Sequence, residues 1–588
     1  MPEAAEIPRR RLVVAGGLLS VVAAGLALAL LRRGPTVKAG EFVPRPKAFV
    51  ADIVRSEDAF DIVNPAIKGT FVKGLKGRDW GMVAAALTPD FKARWPKPRD
   101  GKELPDAAVV LREYRETQWA DSEAAAFIAI LKEHVDGWSA VERTTWRPFE
   151  FLMDTGGLAS FASIHFQVAG VRPDGTRADL AGIVRAQFVS GDGKAWKVRR
   201  MEWVEGCRGE AKHKPWRDVT EACGLMFHES DEVRNLRAQI INDRGVAALG
   251  GLLVCDWNGD GFYDVLATRA ETESALFLND GKGGFVRAPT PMKEAREAGF
   301  SPLRVDLDND GVDELVTGQV LSYEGQTAFS GIYVQENGGW TLRPKALAAP
   351  LEKGVREVLT QAVVPMDVDG NGFLDLYVCN YSNAASLAAG FNRVASYDGM
   401  DNWLFMNYGK LDLREESQAR GMSGTQYTYL AKAFDFDGDG DLDVFEGNDF
   451  GPNHLWLNDG KANFADAKDH IFDADSNYTM GVTLADWDNT GDWTLYISNM
   501  YSHAGNRIVP LAKDLSPDMK RLGMILAQGN QMYERLNGVW SETAMARGTN
   551  WADWGWGCLF FDADNDADKD LFVANGYTTN TDPKAPDY

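Results

Sequence analysis

One nine-residue pattern recurs six times between residues 256 and 570, and it limits what this chain can fold into more than any other feature. Its first position is Asp256, Asp306, Asp367, Asp435, Asp486 and Asp562. The third is Asn258, Asp308, Asp369, Asp437, Asp488 and Asp564, and the fifth is Asp260, Asp310, Asn371, Asp439, Thr490 and Asp566. The ninth is Asp264, Glu314, Asp375, Asp443, Thr494 and Asp570, and position 6 is glycine in every copy but the last, which has Ala567. These segments hold 24 of the chain's 85 acidic residues. Successive copies begin 50, 61, 68, 51 and 76 residues apart, a period that suits a unit of several strands better than a short solenoid turn.

Three to five carboxylates within nine residues repel one another unless a cation sits among them. Oxygen donors at positions 1, 3, 5 and 9, a backbone carbonyl at position 7 and glycine at the sharp turn suit Ca²⁺, which takes its oxygens at about 2.3–2.6 Å; Mg²⁺ demands a tighter octahedron. The expected metal ligands are therefore the acids and amides at those four positions, reduced in the fifth copy to Asp486 and Asp488. Solvated Asp-Gly turns would explain one such segment, but six with the same offsets call for a common ligand. An EF-hand also needs Glu at position 12 and flanking helices. Position 12 here is Ala267, Thr317, Val378, Glu446, Ile497 and Val573, and the residues following the loops are mostly strand formers.

A second marker follows each of the first five copies: an apolar run closing on an Asn- and Gly-containing turn, at residues 276–281, 332–338, 404–409, 455–460 and 532–538. Strand, acidic loop, strand, turn, strand, Asn-Gly turn and strand make one four-stranded blade of a β-propeller. The repeats resemble the FG-GAP/VCBS type of integrin α-chain propellers. The segment 216–225 and the late 554–566 string are similar to the cartilage-acidic-protein-like, ASPIC/UnbV-associated group. Spanning 216–577, the resemblance implies a mainly β chain with a six- or seven-bladed propeller over residues 216–588 and several structural Ca²⁺ ions in its blade loops. That group usually continues into an ASPIC/UnbV domain, whereas 18 residues follow Asp570 here. Two readings stay open: a fragment, or a last blade closed by a strand at 216–225.

The N-terminal third reads differently. Residues 12–31 are uncharged and apolar or small, long enough to cross a bilayer, with Arg9, Arg10 and Arg11 before them and Arg32 and Arg33 after. Residues 1–33 are expected to be a signal-anchor or transmembrane segment that leaves the bulk of the chain extracytoplasmic in the cell envelope. A cleaved signal peptide with a site at Ala27-Leu28-Ala29, which would make the protein secreted, is the rival. Residues 34–47, with three prolines, read as a stiff linker.

Residues 48–210 read as an α+β domain: helical spacing over 67–87 and 107–135, a turn at 88–91, then strands near 149–153, 160–171, 178–189 and 196–204 with hairpin turns at 173–175 and 191–193. Its Gly74-to-Trp80 and Leu87-to-Phe91 strings resemble the NTF2-like cone fold, whose members are enzymes or association modules. Enzymatic use of the cone would need His134 or His165 to point inward.

Function classes narrow from charge and motif. With a net charge of −23, the surface repels phosphate backbones and nucleic acid is not an expected partner. None of the five cysteines forms a C-x-x-C pair, and Cys207 and Cys223 are the pair spaced to bridge. No nucleophile-elbow, zinc-protease or P-loop motif occurs, so no catalytic residue is assigned. The leading expectation is a membrane-tethered, calcium-stabilised propeller acting as a binding, adhesion or scaffold module for a protein or glycan ligand at the cell surface. The alternative is an extracytoplasmic polysaccharide hydrolase or lyase with structural calcium. Trp403, Trp456, Trp551, Trp554 and Trp556 are candidates for a sugar-stacking face or for core.

Overall fold

The computed structural model describes residues 42–576 other than 105–108, 116–118, 213–216, 227–249, 270–273, 293–300, 354, 356–357, 384–395, 468–476, 537 and 564–566. The expected membrane segment and the first part of the linker lie outside the described residues. Among the described residues no helix is long and apolar enough to cross a membrane. The chain divides into two compact units, Met1–Arg217 with Thr483–Tyr588, and Asp218–Val482.

Within Asp218–Val482 four antiparallel four-stranded meanders follow in chain order, the fourth with an added fifth strand, Asn477–Tyr478, paired to its second strand. The first comprises Gly250–Cys255, Asp264–Arg269, Ala275–Asn279 and Phe285–Ala288, and the second Leu303–Val305, Glu314–Glu324, Thr327–Glu336 and Gly339–Pro350. The third comprises Val358–Met366, Asp375–Asn383, Trp403–Asn407 and Leu413–Glu415, and the fourth Tyr427–Phe434, Asp443–Gly451, His454–Asn458 and Phe464–Asp466. In each, the acidic nonapeptide joins the first strand to the second, and its ninth residue is the second strand's first. Apolar layers lie between successive meanders. Leu266 and Leu276 meet Leu315 and Tyr333, Val316 and Ile332 meet Leu376 and Phe405, and Tyr377 and Leu404 meet Val444 and Trp456. Trp403 and Trp456 are buried in these layers, so they are core and not a sugar face.

In the segment that one of the two readings makes a clasping strand, residues 220–224 form a turn, and Cys223 O accepts from Phe285 N at 2.7 Å. The same device recurs at 416–421, where Arg420 O accepts from Phe464 N at 2.8 Å. Gly224 and Gly421 both have φ 86°, and a Cβ on either would lie 2.5 or 2.4 Å from the facing phenylalanine carbonyl. Only glycine tolerates both the angle and the approach. Trp216 itself lies outside the described residues.

In the other unit a curved sheet runs in the order Lys102–Leu104, Val110–Tyr114, Trp196–Ala211, Arg177–Ser190, Ala159–Val171 and Ala140–Met153. Helices Ile53–Ile67, Trp80–Ala85 and Ala124–His134 enclose a core with it around Phe71, Phe91, Trp95, Phe127, Trp146 and Trp203. Helices on one face of an antiparallel sheet are what the pattern suggested, but two expectations fail. The supposed turn at 88–91 lies in strand Leu87–Arg94, which runs parallel to Trp196–Ala211; Pro89 falls where the register shifts between Leu87 and Lys92, so its missing N–H breaks no ladder bond. Only the second half of 107–135 is helical. Val110–Tyr114 is a strand because pairing with Trp196–Ala211 and burial of Leu111 and Tyr114 override its helical spacing. The linker is also not free to its end: Phe42 and Val43 pack against Phe161, and the Arg94 guanidinium lies 4.2 Å from the Phe42 ring centroid.

The fifth copy of the pattern lies in a meander of Gly481–Ala485, Thr494–Ser498, Gln531–Leu536 and Val539–Glu542, with helices His503–Ile508 and Pro517–Gln528 inserted before its third strand. The sixth joins Gly555–Phe561 to Asp570–Asn575. Helix His503–Ile508 docks on strand Ala140–Met153, where Arg507 donates to Pro148 O at 3.2 Å, and on helix Ile53–Ile67, where Arg507 pairs with Glu57 at 2.7 Å and caps the Phe60 ring at 3.8 Å. All five cysteines are free thiols.

Candidate metal centres in the acidic loops

Backbone N–H groups shape every loop in the same way. The first-position carboxylate accepts from the N–H of position 6 in all six: Gly261 to Asp256 at 2.8 Å, Gly311 to Asp306 at 2.9 Å, Gly372 to Asp367 at 2.9 Å, Gly440 to Asp435 at 3.1 Å, Gly491 to Asp486 at 3.0 Å and Ala567 to Asp562 at 2.9 Å. Position 6 is left-handed throughout, including Ala567 at φ 75°, where an alanine is strained and a glycine is not.

The ninth-position carboxylate is buried in each loop that has one, and it ties two places together. Its one oxygen accepts from the position-2 N–H, as from Trp257 to Asp264 at 2.8 Å, Leu307 to Glu314 at 2.9 Å, Val368 to Asp375 at 3.1 Å, Phe436 to Asp443 at 2.8 Å and Ala563 to Asp570 at 2.9 Å. Its other oxygen accepts from the marker asparagine N–H: Asn279 to Asp264 at 2.7 Å, Asn407 to Asp375 at 2.7 Å and Asn458 to Asp443 at 2.9 Å.

Three loops bring three carboxylates together. Asp306, Asp308 and Glu314, then Asp367, Asp369 and Asp375, then Asp435, Asp437 and Asp443 each place one oxygen apiece within 4.8 Å of one another. Asp308 Oδ1 is buried without a hydrogen-bond donor, an acceptor aimed at something a side chain does not supply. The position-5 carboxylates Asp310 and Asp439 are not among these three groups. Asp260, Asp310, Asn371 and Asp439 turn back to accept from the N–H of position 7, at 2.9, 2.8, 2.7 and 3.2 Å.

The remaining loops are poorer in charge at the centre. In the first, the Asn258 amide donates to Asp260 at 2.9 Å, leaving Asp256 and Asp264 as the other acids. In the fifth, Thr490 Oγ1 donates to Asp488 Oδ1 at 2.6 Å. In the sixth, Asp562 and Asp570 are described, and Asp564 and Asp566 lie outside the described residues.

The electrostatics favour a cation. Burial pushes Glu314 up to about 7, opposed by the Leu307 N–H and reinforced by Asp308, Asp310 and Asp306. Asp375 and Asp443 rise to about 6 for the same first cause, with Asp369 and Asp367, or Asp437 and Asp441, adding to it. A positive charge among them would cancel the mutual repulsion and offset the cost of burying ionised carboxylates. The donors are all oxygens, so the group that fits is a hard divalent cation.

Residues 256–317 and 435–497 match the FG-GAP-like repeat family. The chain carries FG-GAP-like repeats. The matched stretches contain the first, second, fourth and fifth acidic loops. No curated protein matches the chain. Among solved structures, a conserved protein from Planctomyces limnophilus aligns at 12% identity over 25% of this chain and 97% of its own, with a TM-score of 0.19. A hexachlorocyclohexane dehydrochlorinase aligns at 10% identity over 26% and 86%, TM-score 0.18. Saccharomyces cerevisiae Sqt1 aligns at 8% identity over 68% and 76%, TM-score 0.29.

The meanders also use a residue whose role spacing alone did not reveal. The marker asparagine links its own loop to the preceding one: Asn407 Nδ2 donates to Leu374 O at 3.0 Å and to Leu307 O, in the previous repeat, at 2.8 Å. Asn458 repeats this with Leu442 O at 3.1 Å and Val368 O at 2.8 Å. The recurrence of Asn before the Gly turn was the available signal; that its amide reaches a different repeat was not.

Proposed function

We propose that this chain is a membrane-tethered, extracytoplasmic β-propeller of the FG-GAP type, with six or seven blades, that binds a protein or glycan ligand at the cell surface and is stabilised by calcium. The observation that carries the calcium part is the convergence of positions 1, 3 and 9 in three successive loops, where the second, third and fourth sites would hold the ion through Asp306, Asp308 and Glu314, Asp367, Asp369 and Asp375, and Asp435, Asp437 and Asp443. When bound, Ca²⁺ would supply the positive charge that lets these carboxylates stay ionised together. The preceding α+β domain, read as NTF2-like, would serve as an association module. Its buried His134 donates through Nε2 to Pro96 O, 2.8 Å away, and His165 stacks between Phe149 and Trp551.

A binding role is favoured over hydrolysis because the loop carboxylates are engaged by backbone N–H groups from both sides, which suits a scaffold and not a proton-transferring pair. The test is direct. The full-length chain in detergent is applied to a glycan array with Ca²⁺ and then with chelator, beside a reducing-sugar assay on the same glycans. Calcium-dependent binding without new reducing ends supports the reading. Turnover would replace it with the hydrolase, and equal binding with and without chelator would remove calcium from it.

A further inference from the structure

We propose that the fourth meander carries a recognition site for an organic ammonium ion, built from Asp449 and the aromatic rings around it. Asp449 lies on strand Asp443–Gly451, opposite Tyr427 on one neighbouring strand and Tyr478 on the other. Directly opposed residues project to the same face, so the carboxyl stands between two phenols. Tyr381 reaches it from the third meander and donates its hydroxyl to Oδ2 at 2.7 Å.

The rings form a continuous cluster. Tyr381 meets Tyr427 edge-on at 5.1 Å and Tyr429 at 5.9 Å, Tyr427 meets Phe450 at 5.9 Å, and Phe450 meets Tyr478 at 5.5 Å. Asp449 is 2% exposed, while Tyr381, Tyr429, Phe450 and Tyr478 are half-buried. Asp398, at the surface, accepts from the Tyr427 hydroxyl at 3.2 Å. The whole cluster is acidic and aromatic, and among the described residues no basic side chain pairs with Asp449.

Asp449 Oδ1 is buried with no hydrogen-bond donor, and the residue lies outside the acidic loops. A buried carboxyl offset only by neutral groups, the Tyr381 hydroxyl and the Phe450 N–H, is costly, and what it lacks is a positive charge and a donor at Oδ1. A primary ammonium supplies both: an N–H for Oδ1 and a charge for the faces of the phenol rings. An aromatic lining suits an organic cation better than a hydrated metal ion.

Burial raises Asp449 to about 7, with the Tyr381 hydroxyl and the Phe450 N–H pulling against it. The facing tyrosines titrate far above this range: Tyr381 and Tyr429 are pushed up by burial and by Asp449, and Tyr478 to about 12 by the same causes. Asp449 is therefore the group in the cluster that changes charge near neutrality. Ammonium binding should strengthen as pH rises through about 7 and weaken about tenfold per unit below it.

The experiment is calorimetric titration of methylammonium chloride into the full-length chain in detergent, at pH 8 and pH 6, with Ca²⁺ held constant and sodium chloride as the control cation. Saturable binding in the millimolar range is expected at pH 8, weaker by at least about tenfold at pH 6 and in Asp449→Asn, and reduced several-fold in Tyr429→Leu. Asp449→Asn removes a buried charge without changing shape, so the ligand-free variant should melt no lower than the parent. The proposal is overturned by absence of saturation, by binding that ignores Asp449→Asn, by sodium competing equally, or by a variant that melts several degrees lower, which would make Asp449 a structural acid.

Discussion

Replacing Asn407 by alanine removes three hydrogen bonds from one of the most enclosed points in the repeats. The residue is fully buried. Its amide serves Leu307 O at 2.8 Å and Leu374 O at 3.0 Å, and its Oδ1 accepts from Gly409 N at 2.9 Å. Its backbone N–H to Asp375 survives truncation. A buried polar group left without a partner costs about 1–3 kcal/mol. Leu307 is wholly buried, so water does not reach its carbonyl without disrupting the layer. The expected loss is about 3–5 kcal/mol, a large share of a typical domain's stability. Asn279 provides the control. It is half-buried, its amide serves Tyr263 O at 3.1 Å, and its Oδ1 accepts from Gly281 N at 2.9 Å. Water replaces those partners, and Asn279→Ala should cost about 1 kcal/mol or less. Asn458→Ala, with two carbonyl partners, should fall between. Urea unfolding of the full-length chain in excess chelator, followed by tryptophan fluorescence, measures all three without a metal contribution. Asn407→Asp should be no better than alanine, because it faces two carbonyls with an oxygen. Losses for Asn407→Ala and Asn279→Ala that agree within about 1 kcal/mol would refute the idea that the amide staples one repeat to the next.

Chelation should lower the melting temperature of the Asp218–Val482 unit: at about 1 mM free Ca²⁺ and a dissociation constant of about 10⁻⁴ to 10⁻³ M, each competent loop adds roughly 0.4–1.4 kcal/mol, and Mg²⁺ should restore little. Asp437→Ala in the three-carboxylate fourth loop should then cost more calcium-dependent stability than Asp488→Ala in the fifth, whose partner is the Thr490 hydroxyl; calcium titrations of thermal stability for the two variants compare them. Acid should weaken the other unit through His134, His165 and His503. Burial first holds all three below the ordinary histidine range, His134 at about 3 and His503 at about 4, with His503 and Arg147 also opposing charge on His165. The unfolded chain takes up these protons first, so the stability is complete above about pH 6.5 and falls by about 1.4 kcal/mol per unit per histidine as pH drops toward 4; His503→Gln should lower the slope of stability against pH by one proton in denaturant titrations. A reporter fused after Tyr588 should be active only outside the cytoplasm, and cytoplasmic activity would overturn the proposed topology.

Sequence alone determined the repeated unit. Offsets of 1, 3, 5, 6 and 9, with strand formers on both sides, leave little but a hairpin loop in a meander, because that local chemistry is written within nine residues and does not depend on the rest of the chain. It determined less about which side chains meet. Position 5 carries an acid or amide in five copies, yet its carboxyl turns back to the position-7 N–H, while position 9 is drawn inward by a marker asparagine 15 or more residues away. Pro89 and Asp90 read locally as a turn and lie in a strand, because Trp196–Ala211 supplies a partner that no local window contains. Asp449, Tyr381, Tyr427 and Tyr478 are scattered over nearly a hundred residues without a shared motif. Only strand register places two phenols beside that carboxyl, and only the packing of one meander on the next brings the third. Charge and turn preferences are properties of neighbours along the chain; burial and the unmatched oxygen it creates are properties of neighbours in space.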